Sequence, residues 1–181
     1  SAVVTGILFA FILPPRIPLW VVAVGGFLAI FLIKELFGGI GFNIFNPALA
    51  SRAILLACFP VFMTHWIQPF DYSIDAITTA TPLTILKENF SQQLPSLWQM
   101  FIGIRAGCLG ETSVLLLLLG AIFLLCRKVI TLHIPVSYIL TVAILSVIFK
   151  QNVAMQVMAG GLILGAFFMA TDYVTSPLTK K

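Results

Sequence analysis

Apolar residues run through this chain in solid blocks, separated by proline, glycine and a few charges. Blocks of this kind predict α-helices and argue against a β-barrel, whose strands alternate between a lipid face and a lumen face. The first block, residues 1–13, stops at Pro14-Pro15-Arg16, because proline removes a backbone donor and drives its predecessor out of the helical region. Residues 18–36 are predicted as the next helix, with Pro18 in its first turn. A Gly- and Asn-rich stretch from Gly38 to Asn46 then breaks the pattern. At membrane depth such a stretch must be buried in protein or line a cavity. A helix restarts at Pro47 behind Asn46 as its N-cap and ends near Cys58, before Pro60.

Residues 64–95 form the longest polar part of the chain and are mildly acidic. Residues 96–104 read as a short amphipathic piece with Trp98 as an interfacial anchor. Residues 112–126 and 130–149 are predicted as two spans separated by the basic turn Arg127-Lys128, and residues 156–171 as the last span. The first block is too short to span by itself, so the 181 residues are expected to be a fragment of a longer protein, folded as one transmembrane domain. A weak echo links Gly38-Gly39, which leads into Phe45-Asn46-Pro47, to Gly160-Gly161, which leads into Phe167-Phe168. Inverted repeats with broken helices would produce it, and so would small residues at ordinary helix contacts.

Composition sharpens this picture. Hydrophobic residues make up 60% of the chain and charged ones 9%, against about 25% charged in soluble domains, so there is too little polar surface to face water. The expectation is an all-α, polytopic transmembrane bundle with broken helices. The formal charge of +4 comes from cations at the ends of apolar runs, where they set topology, and is no nucleic-acid footprint. Placing Arg127-Lys128 in the cytoplasm puts the 64–111 region outside and Lys180-Lys181 inside. Cys58, Cys108 and Cys126 show no metal-ligand spacing and are expected as buried thiols. His65 and His133 read as structural and Glu111 as a cap for the helix after it. Asn43 and Asn46 are placed either at a cavity or in satisfied packing. Asp172 is left between pairing with Arg52, a coupling cation and helix-end solvation.

The polar loop Asp75-Ala76-Ile77-Thr78-Thr79-Ala80-Thr81-Pro82 gathers three hydroxyls behind an aspartate. On residue chemistry, Thr81 is the N-cap of a short helix with Pro82 in its first position, and Asp75 accepts backbone N–H groups of its own turn. Covalent modification of a hydroxyl is the alternative. The same run resembles the D-x-x-[ST]-G-A-T signature at which a flavin transferase joins FMN to the last threonine through a phosphoester. Thr79 stands where that signature has glycine. Leu13-Pro14-Pro15-Arg16-Ile17-Pro18, Lys34-Glu35-Leu36-Phe37-Gly38-Gly39, Asn43-Ile44-Phe45-Asn46-Pro47-Ala48, Gly110-Glu111-Thr112-Ser113 and Phe168-Met169-Ala170-Thr171-Asp172-Tyr173 also resemble one family. It is that of the D subunit of the Rnf ion-translocating electron-transport complex, whose close relative is the B subunit of the Na⁺-translocating NADH:quinone reductase.

The resemblance implies a membrane-embedded, flavin-carrying electron-transfer subunit of a redox-driven ion pump. Electron flow of the ferredoxin:NAD⁺ type would be coupled to Na⁺ or H⁺ translocation. It implies covalent FMN on Thr81, with Asp75, Thr78, Thr79 and Ala80 completing the motif, and a second, non-covalent flavin (riboflavin) with no assignable residue. It further implies sister subunits, a flavin transferase as maturation partner, a lipid membrane of the bacterial or archaeal inner-membrane type, and a flavin loop on the outer face. No catalytic residue and no metal ligand is assigned to this chain. Two other readings remain: the corresponding quinone-reductase component, and a cofactor-free channel or transporter for a small solute.

Overall fold

The computed structural model describes residues 2–39, 42–67, 81–88 and 95–173, which form helices joined by turns. The chain divides into two compact units, residues 1–65 with 172–181, and residues 66–171.

In the first unit, α1 (Ala2–Phe11) precedes α2 (Leu19–Phe27), which continues without a break as a π-helical stretch, Leu28–Glu35. Then come α3 (Pro47–Cys58) and the single turn α4 (Pro60–Met63). The start of α3 is the one that local chemistry predicts: Asn46 Oδ1 accepts the Ala48 N–H at 3.1 Å and Pro47 takes the first helical position. Helices α1, α2 and α3 meet at Gly25. A Cβ there would sit 2.4 Å from Phe9 Cζ and 2.6 Å from Leu55 Cδ1, so the absence of a side chain is what lets the three helices close. Around it Val21 and Leu55 are fully buried. The Ser51 hydroxyl donates to the Gly25 carbonyl at 2.6 Å, just before α2 widens into the π-helix. A side chain inserted at a helix carbonyl is a recognised cause of such a local change in winding.

In the second unit, α5 (Pro82–Glu88) and α6 (Leu97–Ile102) are short, and α7 (Val114–Cys126) and α8 (His133–Ile148) are the long members. α9 (Val153–Met158) is followed by a turn, by α10 (Leu162–Leu164) and by a second π-helical stretch, Gly165–Met169. Side-chain caps start α6, α7 and α9. Ser96 and Gln99 form a reciprocal capping box on α6, Ser113 Oγ accepts the Leu116 N–H on α7, and Asn152 Oδ1 accepts the Met155 N–H on α9. The core lies where Val114 and Ala121 of α7 meet Ile163, Ala166 and Phe167.

Helix is the regular structure of the described residues, as the blocks predict. No helix among them is long and apolar enough to cross a membrane. α8, at 16 residues, rises about 24 Å, against a hydrocarbon core of about 30 Å. The expected span 18–36 changes winding midway. The expected span 156–171 is a correction: it is α9, a turn, α10 and a π-helical stretch, because Gly160 takes a left-handed φ of +65° that ends the first helix. Gly38 and Gly39 (φ +111° and +82°) follow a π-helical stretch, whereas Gly160-Gly161 precede one.

Candidate functional site

Thr81 enters α5 as its cap. Its Oγ1 accepts the Thr84 N–H at 3.3 Å and its carbonyl accepts the Ile85 N–H at 3.0 Å. The Thr81 and Thr84 hydroxyl oxygens lie 2.8 Å apart and share a hydrogen bond. Thr81 as a whole is half-buried. Asp75, Thr78, Thr79 and Ala80 lie outside the described residues.

α5 buries Pro82 and Ile85 and has the turn after α9 as a neighbour. Leu83 leans on the turn after α9, where a Cβ on Gly160 would stand 3.0 Å from Leu83 Cδ1. Next to it, Glu111 Oε2 occupies the space over Gly161, 3.2 Å from where a Cβ would be. The other carboxylate oxygen, Oε1, accepts the Cys108 N–H at 3.0 Å and fills the space over Gly107. Glycine at 107 and 161 therefore makes room for one buried carboxylate.

Arg105 ties this arrangement together. Its Nε donates to the Thr112 carbonyl at 3.2 Å, and its two terminal nitrogens donate to the carbonyls of Met158 and Glu111. The guanidinium thus joins the loop before α7 to the end of α9, only 3% exposed. Burial lowers its pKa from the ordinary arginine value, and the charge of Glu111 acts against that shift. Arginine keeps its proton under both influences, so the loop is held by a permanent cation with a planar, multi-donor fork.

The sequence did not single out Arg105. The available signal was an arginine between Gly103 and Gly107, just ahead of Gly110-Glu111, in a region with few charges. Glu111 is a correction, because Ser113 caps α7 and Glu111 turns inward to Cys108. The thiols are corrected in part: Cys108 is buried, whereas Cys58 and Cys126 are exposed. His65 and His133 are both exposed. Among the described residues no cluster of His, Cys, Asp or Glu has the form of a metal site. In the first unit Asn46 is a cap, while Asn43 is buried with its Oδ1 unpartnered among the described residues. Lys34, also unforeseen as a buried group, is 5% exposed and donates to Thr5 Oγ1 at 3.2 Å.

A family model described as the NQR2, RnfD, RnfE family matches residues 1–181. The chain is 46% identical over 183 residues to the D subunit of the Na(+)-translocating ferredoxin:NAD(+) oxidoreductase complex of Acetobacterium woodii, covering 100% of the chain and 57% of that protein. It is 47% identical over 196 residues to the D subunit of the proton-translocating ferredoxin:NAD(+) oxidoreductase complex of Clostridium ljungdahlii, covering 100% and 59%. Against the D subunit of the ion-translocating oxidoreductase complex of Rhodobacter capsulatus the identity is 38% over 214 residues, covering 99% and 60%. The chain therefore spans less than two thirds of the length of these relatives.

Proposed function

Because the chain belongs to the NQR2, RnfD, RnfE family, we propose that it serves as a flavin-carrying, membrane-embedded electron-transfer subunit of a redox-driven ion pump of the ferredoxin:NAD⁺ type. The names of the relatives support the complex and the redox couple, and they name both Na⁺ and proton variants. The membrane placement is supported by apolar surface. On α7, Leu116, Leu119, Ile122 and Phe123 are more than half exposed, and on α8 so are Leu140 and Ile148. A helix that is apolar on its outer face is at home among lipid tails. Short helices of this kind would cross together with the turns that flank them, in an inner membrane with the 64–95 loop outside.

The flavin part of the proposal is carried by the hydroxyl of Thr81. The residues present fit an FMN phosphoester: Thr81 is half-buried, and its oxygen is held at the start of α5 next to a second hydroxyl. When bound, FMN would supply one- or two-electron redox chemistry that no side chain here provides. The chain's own share is position. Thr81 supplies the tether, Leu83 of α5 touches the turn at Gly160, and Glu111 and Arg105 hold that turn. Asp75, Thr78, Thr79 and Ala80 belong to the same motif. Riboflavin as a second, non-covalent flavin belongs to the same reading, with no described residue assigned to it. Sister subunits, a flavin transferase and lipid are the partners.

Mass spectrometry of the denatured full-length protein, made together with a flavin transferase, tests this. FMN mass on the Thr81 peptide, absent from Thr81→Ala, is the expected result. An unmodified peptide from a complex active in electron transfer would remove the flavin tether. Ion uptake by the same complex under Na⁺ and H⁺ gradients distinguishes the coupling ion.

A further inference from the structure

We propose that Thr84 is a positioning residue for attachment at Thr81, a role that rests on the flavin reading above. A cap requires only the Thr84 backbone N–H, and that bond is present at 3.3 Å. The hydroxyl pair at 2.8 Å is additional. It joins the hydroxyl of Thr84, in the first turn of α5, to the one side-chain oxygen that would be modified.

Hydrogen-bond bookkeeping gives the contact a direction. A hydroxyl oxygen has one proton to give and two lone pairs. At Thr81 one lone pair takes the Thr84 N–H. If the Thr81 proton is given to Thr84 Oγ1, the second lone pair of Thr81 is left over by these two bonds and fixed in direction. In this arrangement Thr84 selects the rotamer in which Thr81 is ready to attack.

The transfer step balances with a flavin dinucleotide as donor. Thr81 Oγ1 forms a bond to the flavin-side phosphorus as the pyrophosphate P–O bond breaks, and a nucleoside monophosphate leaves with the electron pair. The Thr81 proton passes along the 2.8 Å bond to Thr84 Oγ1, and the Thr84 hydroxyl proton passes to a general base of the transferase. No centre changes oxidation state. Afterwards the ester oxygen of Thr81 has no proton to give, so the contact persists only with Thr84 as donor. Thr84 accepts before attachment and donates after it.

The test uses the full-length protein in membrane vesicles, supplied with transferase and flavin adenine dinucleotide, and follows FMN mass on the Thr81 peptide over time. Thr84→Val keeps the shape and the backbone N–H but removes the hydroxyl. It is expected to attach FMN about tenfold more slowly, the scale of one directed hydrogen bond. Thr84→Ser restores the hydroxyl and is expected to restore the rate. The ³¹P resonance of the loaded protein is expected to move in Thr84→Val and to stay in Thr84→Ser, which reads the donor role directly. Attachment to Thr84→Val at the wild-type rate overturns the proposal, since the cap alone would then suffice. Equal slowing by Val and Ser overturns it as well, since shape and not the hydroxyl would be at work. An unmoved ³¹P resonance in Thr84→Val removes the donor role. Failure of the wild type to carry FMN at Thr81 overturns the flavin reading together with this one, whereas equal loading of wild type and Thr84→Val overturns this one alone.

Discussion

Among the described residues each compact unit buries one cation beside glycines with positive φ, and the two are satisfied very differently. In the first unit Lys34 ends the π-helical stretch ahead of Gly38-Gly39, and its ammonium donates to the hydroxyl of Thr5. In the second unit Arg105 lies against the turn at Gly160-Gly161, and its guanidinium donates to three backbone carbonyls with the Glu111 carboxylate in the same pocket. Removing a cation from water costs several kcal/mol, and only a full set of partners offsets it. Arg105 has that set and joins segments 53 residues apart. Among the described residues Lys34 has a neutral hydroxyl. The arrangement at Arg105 holds a fold together, and the one at Lys34 is tolerated by a fold.

The largest effect expected from this contrast is at Arg105. Arg105→Gln strips the cation and leaves one shorter amide to serve three carbonyls, and should cost about 3–5 kcal/mol. Thermal unfolding of the full-length protein in detergent measures it, and an unchanged midpoint would refute the cross-link. Arg105→Lys should also destabilise, because a compact ammonium cannot reach three carbonyls arranged around a planar fork. Gly25→Ala asks the matching question of the first unit, where packing and not charge joins the helices. Its Cβ would press on Phe9 and Leu55, and a cost of about 1–3 kcal/mol is expected by the same measurement. A stability equal to wild type would mean that α1 and α3 are free to part there.

What was legible in the sequence was what short-range chemistry decides. Asn46-Pro47 and Thr81-Pro82 fall at helix starts because a cap and a proline act within one turn of the chain. Glu111 shows the limit of the same rule. An acid just before an apolar run looks like a cap, yet Ser113 lies closer and the pocket formed by Gly107 and Gly161 draws the carboxylate inward. Arg105 was illegible because its farthest partner, the Met158 carbonyl, is a backbone atom that leaves no trace in residue type. The break at Gly160 was concealed by the apolar residues on both sides, which read as one span when only hydropathy is followed. Winding from α to π leaves the residue pattern almost unchanged, so neither π-helical stretch was foreseen.

A smaller effect isolates the carboxylate. At Gly161 the backbone φ is not left-handed, so Gly161→Ala meets Glu111 Oε2 and little else. A few tenths of an ångström of adjustment should cost about 1 kcal/mol. Glu111→Asp withdraws the carboxylate by one methylene, so the double variant should lose less than the sum of the single changes. A double-mutant cycle on unfolding free energy reads the coupling. Strict additivity would show that Glu111 does not occupy the space over Gly161 in solution.

The smallest effect separates a tolerated cation from a needed one. If Lys34 serves no structural purpose, replacing ammonium and acceptor together should be nearly free, because buried polar pairs are often matched by apolar side chains of similar volume. Lys34→Met with Thr5→Val is therefore expected within about 1 kcal/mol of wild type. Thr5→Val alone should cost more than the double change, since it leaves a 5% exposed ammonium facing a methyl group. That ordering, single worse than double, is the signature of a partner lost and not of a contact that supports the fold. If the double variant falls as far as Arg105→Gln, the two cations are equivalent and the contrast between the units fails. If it stays near wild type yet lowers electron transfer or ion uptake by the assembled complex, Lys34 was kept for function. Its poor satisfaction in the fold then becomes the reason to look for what it meets during turnover.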